Sequence, residues 1–467
     1  MHKHMFLAML GLTLFSQLTC ANQLPDSTHE PAILHNSAGQ NSQWNGIGRL
    51  SVADHQCIAT LLDSRDSQAQ AQGPAYILTA GHCAGGVNGK VLVDQPVTGS
   101  IAFNYFVDTP TQRLAVPLKR IVWNSLQGAD LALVELDATL EGLLALGISP
   151  IRLGSSPPPQ SSVQVIGEPS AIGQGLRLST CTERYQAITS VGNWVWRNVR
   201  RNDCQGLAEG ASGSPVLETH GNRLVSVVNS LHDDGVGAIP TERVQGCFSA
   251  GKADLELDTC QLLPGFQLEP QGNRFKPLSK IKTLADGSVE QPSWNFEFLI
   301  DTPRYRYKTS TDALACEDPT GYSGTVSSSE NLIDDPIGPA PGIHYLCLLG
   351  VQDPDQLPSN ALMANSLSIA AELLPAGKPT AQVATEQLTN GNLRVTWQRA
   401  RDVVFYRVKR GAPETTDCDD LSGYRLLPGY TREVEASALP LKLCSVAIDL
   451  NLQSSDSRTD LLQAKLP

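Results

Sequence analysis

Thr79-Ala-Gly-His-Cys83 follows the apolar run Tyr76-Ile-Leu and sets a histidine just past the end of a strand, in a turn of small residues. An imidazole in such a turn stays accessible, and its ordinary pKa lets it accept a proton near neutral pH. Cys83 stands beside it and is able to tie the turn back to Cys57. Further along, Ala129-Asp130 opens the run Leu-Ala-Leu-Val-Glu-Leu136. A carboxylate at the head of so apolar a strand is partly buried and needs a partner, and a histidine N–H serves. Gly210-Ala-Ser-Gly-Ser-Pro215 supplies the third group. A serine hydroxyl is a poor nucleophile until a base takes its proton. Small neighbours let the backbone turn tightly around Ser212 and leave the amides of Gly210 and Ser212 free to converge on one negative oxygen. Read alone, each string also fits a structural role: a surface histidine, an aspartate in an ordinary turn, a flexible Gly/Ser loop.

Together the three supply a nucleophile, a base and an orienting acid in the order His82, Asp130, Ser212. The strings resemble those of the chymotrypsin/trypsin-fold serine endopeptidases over roughly residues 45–250, and Gly-x-Ser-Gly-Ser-Pro resembles the bacterial form. The resemblance implies His82 as general base, Asp130 as its orienter, Ser212 as nucleophile, and the amides of Gly210 and Ser212 as the oxyanion hole. It also implies two β-barrels, joined near Pro157–Pro159. Two departures stand out. Animal digestive members carry an aspartate just before the serine, and here that residue is Ala211. No Ile/Val-Val-Gly-Gly start follows a basic site; the nearest candidate is Gly46-Ile-Gly-Arg-Leu50. Activity is therefore expected not to need an ion pair from a freed N-terminus. The position six residues before the serine, the family's pocket base, is Gly206. With Glu209 and Asn229 it forms the candidate specificity pocket, and the absence of an acid at Gly206 and of a histidine at Asn229 leaves a small or apolar preference.

The rest of the chain frames this reading. Short β-prone segments recur at 47–52, 57–62, 75–79, 90–93, 131–136, 163–166, 176–181, 192–196, 215–217 and 224–228, with Ser155-Ser-Pro-Pro-Pro-Gln160 as a stiff break. The fold class is all-β: a two-barrel domain followed by two small β-sandwich modules. Pro- and Gly-rich stretches at 262–278 and 374–379 mark boundaries, and the segments after them repeat one pattern. Trp294, Tyr305-Arg-Tyr-Lys308, Cys316-Glu-Asp-Pro-Thr-Gly-Tyr322 and Tyr345-Leu-Cys347 answer to Trp397, Tyr406-Arg-Val-Lys409, Cys418-Asp-Asp-Leu-Ser-Gly-Tyr424 and Lys442-Leu-Cys444. Each copy resembles immunoglobulin-like or fibronectin type III modules in architecture. The expected division is a signal peptide at 1–21, a loose leader or short propeptide at 22–44, the protease domain at 45–262, and repeats at 280–374 and 378–452.

Residues 5–18 are too short an apolar run to span a bilayer and read as the apolar part of a signal peptide, cut after Ala21, which implies a secreted protein, extracellular or periplasmic. Without Cys20 ten cysteines remain, an even number suited to an oxidising compartment. Neighbours are the expected pairs: Cys57 with Cys83, Cys181 with Cys204, Cys247 with Cys260, Cys316 with Cys347, Cys418 with Cys444. No Cys-x-x-Cys or matched Cys/His cluster appears, so neither metal nor cofactor is implied. A formal charge of −12 argues against nucleic acid, and Arg197, Arg200 and Arg201 beside two tryptophans read as a solvated strand edge. The partners expected are a protein or peptide substrate and a surface or protein bound by the repeats, with no transmembrane segment. Two other functions fit less well. One is an inactive protease-like binding or adhesion protein. The other is an α/β-hydrolase, whose Gly-x-Ser-x-Gly elbow is broken here by Ser214.

Overall fold

The computed structural model describes residues 30–463 apart from 67, 88, 169–174, 187, 192–193 and 263–264. The signal sequence with Cys20, and leader residues 22–29, lie outside the described residues.

Six antiparallel strands close the first barrel: Ile47–Val52, His55–Leu61, Pro74–Thr79, Leu131–Thr139, Leu114–Ser125 and Gly99–Phe103, the last pairing back with the first. Six more close the second: Ser162–Gly167, Arg177–Tyr185, Arg200–Asn202, Gly235–Pro240, Leu224–His232 and Pro215–Glu218. The Pro157–Pro159 break lies between the two. The apolar runs are dense because these strands are buried on both faces. Along residues 131–136, Ala132, Val134 and Leu136 fill the barrel interior, while Leu131 and Leu133 face a second core. That second core is the seam between the barrels. Ile58 and Leu78 enter it from one side, and Ile166, Leu217, Leu224, Val227 and Ile239 from the other. Glu135 interrupts the run, 2% exposed, and Lys119 and Arg120 neutralise it.

Within the segment expected as a loose leader or short propeptide, residues 30–44 are packed against the barrels. Ala32–Ile33 adds a strand to the edge of the second barrel, and Leu34 and Trp44 are buried in the seam core. The Asp108 carboxylate accepts the amides of Asn36 and Ser37 at 2.8 and 3.0 Å, which settles a segment whose composition is turn-like.

Two smaller units follow, each a pair of sheets around one core. In the first, Leu268–Gln271, Phe296–Ile300 and Leu332–Ile333 face a five-stranded sheet that includes Arg304–Ser310, Gly342–Val351 and Leu367–Leu374. In the second, Val383–Gln387, Leu393–Trp397 and Thr431–Val434 face a sheet centred on Val403–Gly411 and Leu441–Asp449. The cores and sheets of these units also take in residues outside 280–374 and 378–452. Phe266 and Leu268 already belong to the first core, and Arg458–Leu462 is still a strand of the second. Both buried tryptophans donate to a hydroxyl, Trp294 to Thr309 and Trp397 to Ser445. Tyr322 and Tyr424 each donate to the carbonyl of the cysteine six residues earlier, at 2.8 Å. Among the described residues, five disulfides join 57–83, 181–204, 247–260, 316–347 and 418–444. Among the described residues no helix is long and apolar enough to cross a membrane.

Candidate active site

The strand Pro74–Thr79 ends at a single 3₁₀ turn, Gly81–Ala84, closed by Gly85 in the left-handed region at φ 79°. Three constraints hold this turn. The Cys57–Cys83 disulfide ties it to the neighbouring strand. Buried Asn124 donates its amide to the carbonyls of Gly81 and Ala84 at 3.0 and 3.1 Å. Gly81 itself is required, because a Cβ there would lie 2.9 Å from Asp130 Oδ1 and 2.6 Å from the Ser125 carbonyl oxygen.

Asp130 is fully buried and binds His82 twice. Its Oδ1 accepts the His82 backbone N–H at 2.9 Å, and its Oδ2 lies 2.8 Å from His82 Nδ1. A carboxylate only accepts, so Nδ1 carries the proton and Nε2 keeps its lone pair. Burial works to lower the His82 pKa, but the hydrogen bond and the charge of Asp130 together outweigh it, and the pKa lies above its ordinary 6.5. The ring is 30% exposed, so water and substrate reach it. The His82 ring also lies near the sulfurs of Cys57 and Cys83. Those sulfurs are bonded to each other and are not thiolates, so the group is not a metal-binding set.

The loop around Ser212 is two overlapping turns. Ala211 N–H donates to the Ala208 carbonyl at 3.0 Å, and Ser214 N–H to the Ala211 carbonyl at 3.1 Å. Gly210 and Gly213 take φ of 100° and 83°, conformations that a Cβ disfavours. The loop is wedged against the first barrel. The Ser212 carbonyl accepts the Ile58 N–H at 2.9 Å, and a Cβ on Gly213 would lie 1.9 Å from the Ile58 carbonyl oxygen and 2.3 Å from Thr79 Oγ1. Thr79 Oγ1 in turn donates to that same Ile58 carbonyl. Ser212 therefore abuts the strand ends that precede His82 on one side and carry Cys57 on the other. Among the described residues, the N–H groups of Gly210 and Ser212 have no protein acceptor.

The specificity candidates are dispersed. Gly206 is exposed at φ 73° and lies against Pro31 of the N-terminal segment, and Glu209 is exposed on the serine loop. Asn229 is buried on the strand whose Val228 carbonyl accepts the Gly213 N–H. Its Oδ1 accepts from the Ser230 hydroxyl at 3.2 Å, and Ser230 Oγ lies 3.1 Å from His232 Nε2. Asn124 and His232 lie outside the strings that mark the turns, and sequence reasoning does not reach them. It also misread the arginines as a solvated edge. Arg197 is fully buried against the first C-terminal unit, Arg200 is paired with buried Glu183, and Arg201 with Asp234.

Residues 64–227 match the family model of the trypsin-like peptidase domain. None of the curated proteins matches the chain. Solved structures similar to it include a thermostable serine protease, AL20, from an extremophilic microorganism, 18% identical over 42% of this chain and 90% of that one, with a TM-score of 0.32. The VesB protease of Vibrio cholerae is 14% identical over 74% of this chain and 98% of that one, with a TM-score of 0.31. The protease Anisep of Arthrobacter nicotinovorans is 15% identical over 43% of this chain and 91% of that one, also with a TM-score of 0.31. The two closed barrels and the match over residues 64–227 give the first half of this chain the fold of a trypsin-like peptidase domain.

Proposed function

We propose that this protein is a secreted serine endopeptidase that cleaves peptide bonds through an acyl-enzyme on Ser212. The observation that carries the reading is the double hydrogen bond from His82 to buried Asp130, beside a serine loop anchored at Ile58. In the proposed reaction His82 Nε2 takes the Ser212 hydroxyl proton as Oγ attacks the substrate carbonyl, then returns it to the leaving amine. Asp130 holds the tautomer and stabilises the imidazolium. The Gly210 and Ser212 amides hold the oxyanion, and one such donor is typically worth about 3–4 kcal/mol. Water then repeats the sequence on the acyl-enzyme.

With Ala211 where an N-terminal ion pair would need its acid, the serine loop is set by its own turns and by Ile58. Gly206 offers no charge to a substrate side chain, which favours small or apolar residues before the cut. Five disulfides and the N-terminal signal support export. The two C-terminal units, read as copies of one sandwich module, serve to hold the enzyme on a partner or surface. A serine-reactive phosphonate probe tests the activity: labelling of the processed chain that is lost in Ser212→Ala supports it. No labelling of either protein rejects it in favour of an inactive binding protein.

A further inference from the structure

Arg197 ends the hairpin strand Trp194–Arg197 of the catalytic half, yet its side chain is fully buried in the unit that follows. The guanidinium donates to Glu317 Oε1 at 2.9 Å, to the carbonyls of Ala364 and Ser366 at 3.2 and 3.0 Å, and to the Ser368 hydroxyl. All four acceptors belong to the first C-terminal unit. The backbone of the same residue turns the other way: its N–H donates to the Gly128 carbonyl at 3.0 Å. Gly128, two residues before Asp130, sits at φ 63°, and a Cβ there would lie 2.3 Å from the Arg197 guanidinium and 3.2 Å from the Ala364 carbonyl oxygen.

Gln127 repeats the connection. It is fully buried, and its side-chain amide donates to the Asn365 carbonyl at 3.0 Å. The loop that delivers Asp130 is thus covered on its outer side by the strap 361–368 rather than by the barrel that carries it.

We propose that the first C-terminal unit is a positioning element of the active site, with Gln127 and Arg197 as positioning residues that set the Asp130 loop against His82. The proposal rests on the reading of Asp130 as the orienter of a catalytic His82. Asp130 reaches His82 through two bonds of 2.8 and 2.9 Å, both of which lengthen if the loop behind it relaxes outward. A buried loop whose outer partners come from another unit relaxes when those partners are lost, and a misplacement of about 1 Å at reacting groups is enough to cost about 10²-fold in rate.

The test uses the full chain and a small chromogenic peptide too short to touch the C-terminal units. Gln127→Ala and Glu317→Gln are made in the intact protein and again in an Asp130→Asn background. In the intact background each should lower kcat by about 10-fold with KM unchanged, and should move the acid limb of the pH profile downward as the Asp130–His82 bonds lengthen. In the Asp130→Asn background the same substitutions should change kcat by less than about 2-fold, because the carboxylate they act through is gone. Equal losses in both backgrounds would mean general loosening and would overturn the proposal, as would no loss in the intact protein. Should Glu317→Gln fail to fold, Gln127→Ala decides, since it removes no charge. If Asp130→Asn alone leaves kcat untouched, the reading of Asp130 falls and takes the proposal with it, and the single variant shows this separately.

Discussion

Ile58 donates its backbone N–H to the carbonyl of Ser212 at 2.9 Å, and this bond crosses from the first barrel to the second. The candidate nucleophile is thereby referenced to the strand that also carries Cys57 and, through the disulfide, to the turn of His82. The Ile58–Ser212 bond joins backbone to backbone, so side-chain substitution at Ser212 or His82 leaves it in place.

Ser212→Ala and His82→Ala should therefore abolish hydrolysis without unfolding the chain. The expected loss in kcat is on the order of 10⁴–10⁶, with the thermal midpoint little changed. Near-normal turnover in either purified variant would reject the assignment.

The pH profile follows from the His82–Asp130 pair. A general base must be neutral, so kcat/KM should rise with pH, with its acid-limb midpoint above 6.5, the ordinary histidine value. Asp130→Asn should bring that midpoint down. The stability linkage has the matching sign: a pKa raised on folding stabilises the fold fully below 6.5, and that contribution is lost as pH rises through the folded value. Titration of the His82 ring by NMR checks both statements.

Gly213→Ala should damage fold and activity together. The new Cβ would sit 1.9 Å from the Ile58 carbonyl oxygen at a φ of 83°, so either the serine loop or the strand must shift. A loss of about 2–4 kcal/mol is expected, read by denaturant unfolding.

Replacing Cys57 and Cys83 by alanine opens a loop of 26 residues and should cost about 3–4 kcal/mol. Because the bridge also fixes the turn of His82, kcat should fall even at temperatures where the variant is fully folded. Unchanged turnover would show that Asn124 and Asp130 hold the turn without the bridge.

Truncation separates the two C-terminal units. A chain ending near residue 376 keeps every acceptor of Arg197 and should hydrolyse small peptides as the full chain does. A chain ending near residue 265 leaves Arg197 and Arg243 without Glu317 and uncovers Gln127, so its activity should collapse. Equal activity in both would confine the C-terminal units to targeting.

What the sequence makes legible is what it encodes locally. Residues 131–136 read as a buried strand because the run is apolar throughout, and the small residues around His82 and Ser212 read as tight turns. The pattern of Trp, Tyr and Cys in the C-terminal half marks two sheet pairs because each keeps its own core. Arg197 is illegible because its environment comes from residues up to 171 positions away, and nothing near it tells a buried guanidinium from an exposed one. Residues 30–44 look loose because they are polar and turn-rich, and the acid that orders Asn36 and Ser37 is Asp108, on a distant loop. The Asn124 clamp on the histidine turn is likewise a contact across 40 residues or more, with no local signature.

The alternation along residues 131–136 has a consequence for chemistry as well as for packing. Slipping that strand by one residue would turn Leu131 and Leu133 inward, send Ala132 and Val134 to the seam, and leave one cavity overfilled and the other half empty. The same slip would carry the preceding carboxylate about 3 Å along the strand axis, out of reach of the imidazole. Hydrophobic volume thus serves as the ruler by which the charge is placed, and under the proposed function a chain folded in the wrong registry would lose activity for the same reason that it loses stability.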